Sequence, residues 1–224
     1  TDAKEVGSLT SSTAGSGWGY QYAFDANADQ LTTSRYQIRD RLSGSLNWKH
    51  KFFGDYETKV GLVYEGRSGR PFSYIYANDA NGDGRSGNDL FYVPQRGEVL
   101  FGALNASGQF VADADMEKKF FAWLAQNPQL EKYAGSVAPA NGFRTGWINT
   151  FDVRISQQLP GFMKGHKSEI WVDIQNVGNM LNKKWGNIYD NGFYANSRVA
   201  TLQGLYQGKY VYNFTGADTP SVAN

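Results

Sequence analysis

The residues best suited to chemistry lie in one short run, Asp79-Ala-Asn81-Gly-Asp83-Gly84-Arg85. Side-chain oxygens at positions 1, 3 and 5, followed by a Gly that permits a sharp turn, are how calcium loops of the EF-hand kind wrap a hard cation. In that frame Arg85 offers a backbone carbonyl. Position 12, where a bidentate acid belongs, is Leu90, and the nearest acid is Asp89, one residue early. The run therefore has two readings. It is either a Ca²⁺ loop formed by Asp79, Asn81, Asp83, Arg85 and Asp89, or an Asp/Asn/Gly-rich turn that tolerates left-handed backbone.

Catalytic chemistry finds little footing, and no catalytic residue is expected. The chain has no Cys, which excludes disulfides, Cys-ligated zinc and thiol catalysis. Its two histidines, His50 and His166, stand beside two short turns, and neither Gly-x-Ser-x-Gly nor His-Glu-x-x-His occurs. Gly82-x-Gly84-x-x-Gly87 spells a dinucleotide fingerprint, but no helix or βαβ unit follows it. Paired glycosidase carboxylates leave no single-sequence signature, so a secreted β-rich hydrolase stays as a third reading.

The elements that must position these groups follow from composition and period. Across 224 residues, 22 Lys and Arg face 21 Asp and Glu, a net +1 that gives nucleic acid no basic field to bind. Aromatics at 15%, 26 Gly, 19% charged residues and a mean hydropathy of −0.52 point to an all-β chain. They also suit a membrane β-barrel, whose alternating strands are not apolar on average.

Alternation predicts strands over about 36–50, 56–67, 147–159 and 168–177. In the first, Ile38, Leu42, Gly44, Leu46 and Trp48 oppose Arg39, Arg41, Ser43, Asn47 and Lys49, with Asp40 a misfit on the apolar side. In the second, Tyr56, Thr58, Val60, Leu62 and Tyr64 oppose Glu57, Lys59, Glu65 and Arg67. In the third, Trp147, Phe151, Val153 and Ile155 oppose Thr150, Asp152, Arg154 and Ser156. In the fourth, Ile170, Val172 and Ile174 oppose Glu169, Trp171, Asp173 and Gln175.

The connections at 51–55 and 160–167 are short, while 1–35, 68–146 and 178–224 are long. The 68–146 excursion has a strand signal at 72–76. It also has a helix near 114–126, with Met116, Phe120, Trp123 and Leu124 at helical spacing. A further strand is expected over 205–214, and the whole of 1–35, rich in small and polar residues as in Ser8–Ser16, reads as loop.

Outer-membrane barrels have this asymmetry, with tight periplasmic turns and extended extracellular loops. Their aromatic girdles are matched by Trp48, Phe52, Phe53, Tyr56 and Phe162 near the short turns and by Tyr64 and Trp147 near the long loops. Four strands cannot close a barrel whose minimum is eight, so the chain is expected to be a piece of a larger wall. On this reading the charges of the polar faces line a lumen as cross-strand pairs. Loop aromatics such as Trp18, Tyr20, Tyr22, Tyr194 and Tyr206 could pack the loops or stack on sugars.

Three segments carry a family resemblance: Asp79-Ala-Asn81-Gly-Asp83-Gly84-Arg-Ser-Gly-Asn88-Asp89-Leu-Phe-Tyr-Val-Pro94, Asn141-Gly-Phe-Arg144-Thr-Gly-Trp147-Ile-Asn149-Thr-Phe-Asp152-Val-Arg154, and His166-Lys-Ser-Glu169-Ile-Trp-Val-Asp173-Ile-Gln-Asn176-Val-Gly-Asn179-Met-Leu-Asn182-Lys-Lys-Trp185-Gly186. In this order the chain, over roughly 36–190, resembles the C-terminal part of the barrel of Oar-like TonB-dependent outer-membrane receptors. The resemblance implies a transmembrane antiparallel barrel of 22 strands when complete, in the outer membrane of a Gram-negative bacterium. It also implies an N-terminal plug and energy delivered through TonB.

Plug, TonB box and final strand are expected to lie outside 1–224. The partners implied are outer-membrane lipid, TonB through the plug region, and an extracellular substrate caught by the long loops. The resemblance requires no cofactor, and Ca²⁺ in the 79–89 loop stands apart from it. The alternative from another class is a secreted, Ca²⁺-dependent β-sandwich that binds carbohydrate.

Overall fold

The computed structural model describes residues 2–6, 19, 21–25, 27, 28, 31–192 and 195–223. Among the described residues strands take 45% and helices 11%, in keeping with the all-β reading of the composition. Among the described residues no helix is long and apolar enough to cross a membrane. Four long strands form one antiparallel sheet: β1 (Arg41–Phe53), β2 (Tyr56–Arg67), β3 (Ile148–Pro160) and β4 (Lys167–Ile174). They lie in the order β4-β3-β2-β1, an up-and-down meander interrupted between β2 and β3 by some eighty residues.

Register turns the alternation into faces. Leu46 pairs with Leu62, Leu62 with Val153, and Val153 with Ile174. The next row is Trp48, Val60, Ile155 and Val172. Partners in a row share a face, so the apolar positions of all four strands fall on one side. That side is bare: Leu42, Leu46, Trp48, Ile155, Ile170 and Val172 are all exposed.

The opposite side carries the charges, and they pair across strands. The Arg154 guanidinium donates twice to Asp173, at 2.5 and 2.6 Å. Lys59 Nζ reaches Glu169 across β3 at 3.3 Å, and Arg41 reaches Glu65 at 2.5 Å. A hollow of about 750 Å³ lies over this polar side, bordered by Asn47, Lys59, Arg154, Glu169 and Asp173.

Strand ends depart from expectation where a partner is lost. The alternation runs from Tyr36, yet β1 begins at Arg41, because β2 ends at Arg67 and its chain turns away. The N–H groups of Arg39 and Asp40 turn instead to Ser68 Oγ, at 3.1 and 3.3 Å. At the other edge β4 stops at Ile174. Asn176 takes a left-handed conformation (φ 50°), its N–H donates to Asp152 Oδ1 at 2.8 Å, and a short helix, Val177–Leu181, follows.

Asn149, a polar residue in β3, lies at the long-loop edge. Its Oδ1 accepts from Tyr64 Oη at 2.8 Å and Trp147 Nε1 at 3.0 Å, so the polar group is satisfied by the aromatics around it. Near the short turns Trp48, His50 and Phe52 stack along one face of β1, with centroids 5.9 and 4.6 Å apart.

The long connections are not open loops. They fold into a cap with its own core: Phe72, Tyr74, Phe91, Phe101, Phe120, Phe143, Tyr212 and Phe214 are all buried. Strand Pro71–Ile75 is buried throughout and lies between Phe143–Arg144, antiparallel, and Asn196–Arg198, parallel. Helix α1 (Ala114–Ala125) matches its apolar spacing: Asp113 Oδ1 accepts from Met116 N–H at 2.9 Å as N-cap, and Phe120, Phe121 and Leu124 face the core. Among the described residues of 1–35, Lys4–Glu5 pairs with Thr32–Thr33; Ser8–Ser16 lies outside the described residues.

The single strand expected over 205–214 is a hairpin, Thr201–Tyr206 against Lys209–Asn213. Its turn has positive φ at both central residues, Gln207 (49°) and Gly208 (78°), the turn form that matches strand twist. Gly208→Ala should cost about 1 kcal/mol, because a Cβ is disfavoured there, and should lower the melting midpoint by about 2–4 °C. Gln207→Asn should shift it the other way. Calorimetry on the two variants checks both signs.

Candidate functional site

The acidic run is the connection that returns the chain from the buried strand Pro71–Ile75. The outgoing and returning segments are tied by Phe91 N–H to Tyr74 O at 3.0 Å and Tyr76 N–H to Asp89 O at 2.9 Å. Between them the backbone bends at Gly82, Gly84 and Gly87, all with φ near +80° to +90°. Asp79 organises the bend: Oδ1 accepts from Gly82 N–H at 2.7 Å and Asp83 N–H at 3.2 Å, and Oδ2 from Gly84 N–H at 2.8 Å.

Asn81 and Arg85 take turn roles. Asn81 Oδ1 accepts from Asp83 N–H at 2.9 Å, and Arg85 N–H donates to Asp83 Oδ1 at 2.8 Å. So the turn reading is correct as far as backbone goes, and it does not use up the carboxylates.

The structure brings together Asp79, Asp83 and Asp89: one carboxylate oxygen from each lies within 4.8 Å of the others. The one-residue offset of Asp89 from the calcium-loop pattern is absorbed by the fold. Leu90, at the expected acid position, is buried with Tyr22, Ile75 and Ala140, while Asp89 contributes its carboxylate to the cluster. Asp89 is only 2% exposed; its Oδ2 accepts from Ala80 N–H at 2.9 Å, but Oδ1 has no partner.

Burial pushes the Asp89 carboxyl up to about 6 against the Ala80 hydrogen bond, with Asp83 and Asp79 adding repulsion. Asn88, equally buried, donates through Nδ2 to Asp83 Oδ2 at 2.9 Å, and its Oδ1 is also unpartnered. Asn88 has no ligand role in the calcium-loop pattern of the sequence. Its one signal was its place directly before the misplaced acid.

Beside the loop lies a cavity of about 550 Å³ bordered by Asp89, Asn81, Tyr76, Tyr92, Glu98 and Lys209. Its tyrosines are held as neutral donors. Burial pushes Tyr76 up to about 12, and the hydrogen bond to Glu98 does the same for Tyr92. Tyr76 and Tyr212 share a hydrogen bond between their hydroxyls.

The other candidates separate. Phe120, Phe121 and Trp123 of α1 pack into or against the cap core, so the helix is structural. Tyr22 is buried and Tyr206 packs against Phe110 at 5.7 Å; Trp18, Tyr20 and Tyr194 lie outside the described residues. On the polar face of the sheet Arg41, Lys59 and Arg154 are held by Glu65, Glu169 and Asp173. Comparison with protein-family models, curated proteins and solved structures finds no match to this chain.

Proposed function

We propose that the chain is wall and extracellular cap of a TonB-dependent outer-membrane receptor of the Oar-like kind, taking substrate at the cap and passing it along a polar lumen. The observation that carries this reading is the apolar face of β1–β4. Its rows are in register over all four strands and no described residue covers them. A soluble sheet would leave that face in water; lipid is the solvent that suits it.

A hollow of about 750 Å³ lies on the charged side, the side a lumen would occupy. Both tight turns lie at one end and the cap at the other, as barrels in this membrane are arranged. The outer edges of β1 and β4 are unpaired among the described strands. Closure then needs further strands on both sides, and a plug to meet TonB. A carbohydrate-binding sandwich would need a second sheet about 10 Å from Leu46 and Trp48, and the described residues supply none.

Since the chain has no Cys, single cysteines carry a nitroxide without background. In lipid bilayers, labels at Leu46, Val60 and Val153 should be relaxed by dissolved oxygen. Labels at Asn47, Lys59 and Arg154 should be relaxed by a water-soluble nickel chelate. Equal nickel access at both sets would overturn the reading.

A further inference from the structure

We propose that Asp79, Asp83 and Asp89, with the Asn88 amide beside them, bind a Ca²⁺ ion that ties the 77–88 connection to the cap core. Three acidic side chains alone would not justify a site, since exposed carboxylates cluster freely. The second observation is the pair of orphaned oxygens. Asp89 Oδ1 and Asn88 Oδ1 belong to residues 2% and 5% exposed, and neither has a hydrogen-bond partner among the described residues. Buried polar atoms are rarely left so, and a buried carboxylate without a counter-charge is costly.

None of the ion pairs among the described residues involves Asp79, Asp83 or Asp89, and Arg85 matters only as a site of cleavage. The Asn88 amide is anchored to the cluster, its Nδ2 donating to Asp83 Oδ2 at 2.9 Å. What the arrangement lacks is positive charge at its centre.

The donor set selects the ion. All the available atoms are carboxylate or amide oxygens, which suit hard cations and exclude the softer metals that favour His and Cys. Ca²⁺–oxygen distances of about 2.3–2.6 Å place ligands on opposite sides of the ion about 5 Å apart. Carboxylate oxygens already within 4.8 Å of one another therefore enclose Ca²⁺ with little rearrangement. The backbone bonds to Asp79 use one lone pair per oxygen and leave others for metal. Mg²⁺ demands tighter octahedral geometry and gives up its water reluctantly, so it fits an irregular loop less well.

The consequence is mechanical. Asp79 and Asp83 stand on the excursion, while Asp89 begins the returning segment. Leu90 N–H donates to Ala23 O at 3.0 Å, and Ala23 N–H to Asn88 O at 3.1 Å, so the ion would also steady the segment around Ala23. Asn78 clamps the same connection to the hairpin through Leu202, at 2.9 and 3.0 Å. The inference uses the cap alone and does not depend on the membrane reading.

The test uses the whole chain in detergent, stripped with chelator and titrated with CaCl₂. Arg85 is an exposed trypsin site within the loop. Calcium should bind with Kd of about 10⁻⁴–10⁻³ M and slow cleavage after Arg85 at least tenfold. Equal Mg²⁺ should leave cleavage unchanged. Asp83→Asn, at an exposed position that leaves the core intact, should weaken binding about tenfold or more, and Asp89→Asn should abolish it. Should Asp89→Asn fail to fold, Asp79→Asn and Asp83→Asn decide. The proposal is overturned if calorimetry gives no heat of binding up to about 10 mM with unchanged cleavage, or if both of those variants bind as the parent does.

Discussion

Phe120→Ala should destabilise the cap by about 3–5 kcal/mol, the cost of removing a large buried ring and leaving its cavity. Phe120 is fully buried and its ring meets those of Phe101 at 5.0 Å, Phe121 at 5.1 Å and Phe214 at 5.3 Å. These partners come from three separate places in the sequence, so the ring is a junction between the 68–146 excursion and the 201–214 hairpin. Domain stabilities are about 5–15 kcal/mol, so the loss takes a third or more of the total in most cases. The measurement is denaturant unfolding followed by near-ultraviolet dichroism of the cap aromatics. Phe110→Ala, at a half-buried hairpin position, serves as the mild comparison. A cost below about 1 kcal/mol for Phe120→Ala would mean that the long connections fold separately rather than as one core.

That core was the least legible part of the sequence, and the reason is physical. Period reveals an element whose pattern repeats within itself, as in Leu42 to Trp48 or Met116 to Leu124. Apart from α1, the cap is built from strands of two to six residues, such as Phe143–Arg144 against Phe72, too short to show a period. Their partners lie some seventy residues apart, where a single sequence holds no pairing signal. Tyr36–Asp40 failed in the opposite way: its alternation is genuine, but the ladder with β2 ends at Arg67, and Arg39 and Asp40 bond to Ser68 instead of extending a strand. Gln207-Gly208 hid a turn because Gln is an unusual occupant of a left-handed position. The acidic loop was readable from Asp79 to Gly84, since Asx turns follow local spacing. Asp89 was readable only as the acid nearest position 12; its burial and its approach to Asp79 and Asp83 come from the antiparallel return of the chain.

Leu46→Arg should weaken association of the chain with lipid vesicles by about 30- to 1,000-fold, whereas Asn47→Arg should change it little. The two residues are neighbours in β1 and differ only in the face they present. Leu46 is 66% exposed and lies in the row it shares with Leu62, Val153 and Ile174. An Arg at the middle of a lipid-facing wall costs about 2–4 kcal/mol, and tenfold in affinity corresponds to about 1.4 kcal/mol. Asn47 opens on the hollow that already holds Lys59, Arg154, Glu169 and Asp173, where one more cation finds water and carboxylates. Vesicle flotation, or Trp48 fluorescence against lipid concentration, measures both variants. Equal losses would mean that charge alone governs adsorption and that the sheet does not enter the bilayer by one face. No loss from either would place Leu46 outside the hydrocarbon and remove the reason for assigning β1–β4 to a membrane wall. A large loss from Leu46→Arg alone ties the alternation seen in the sequence to the solvent each face was selected for.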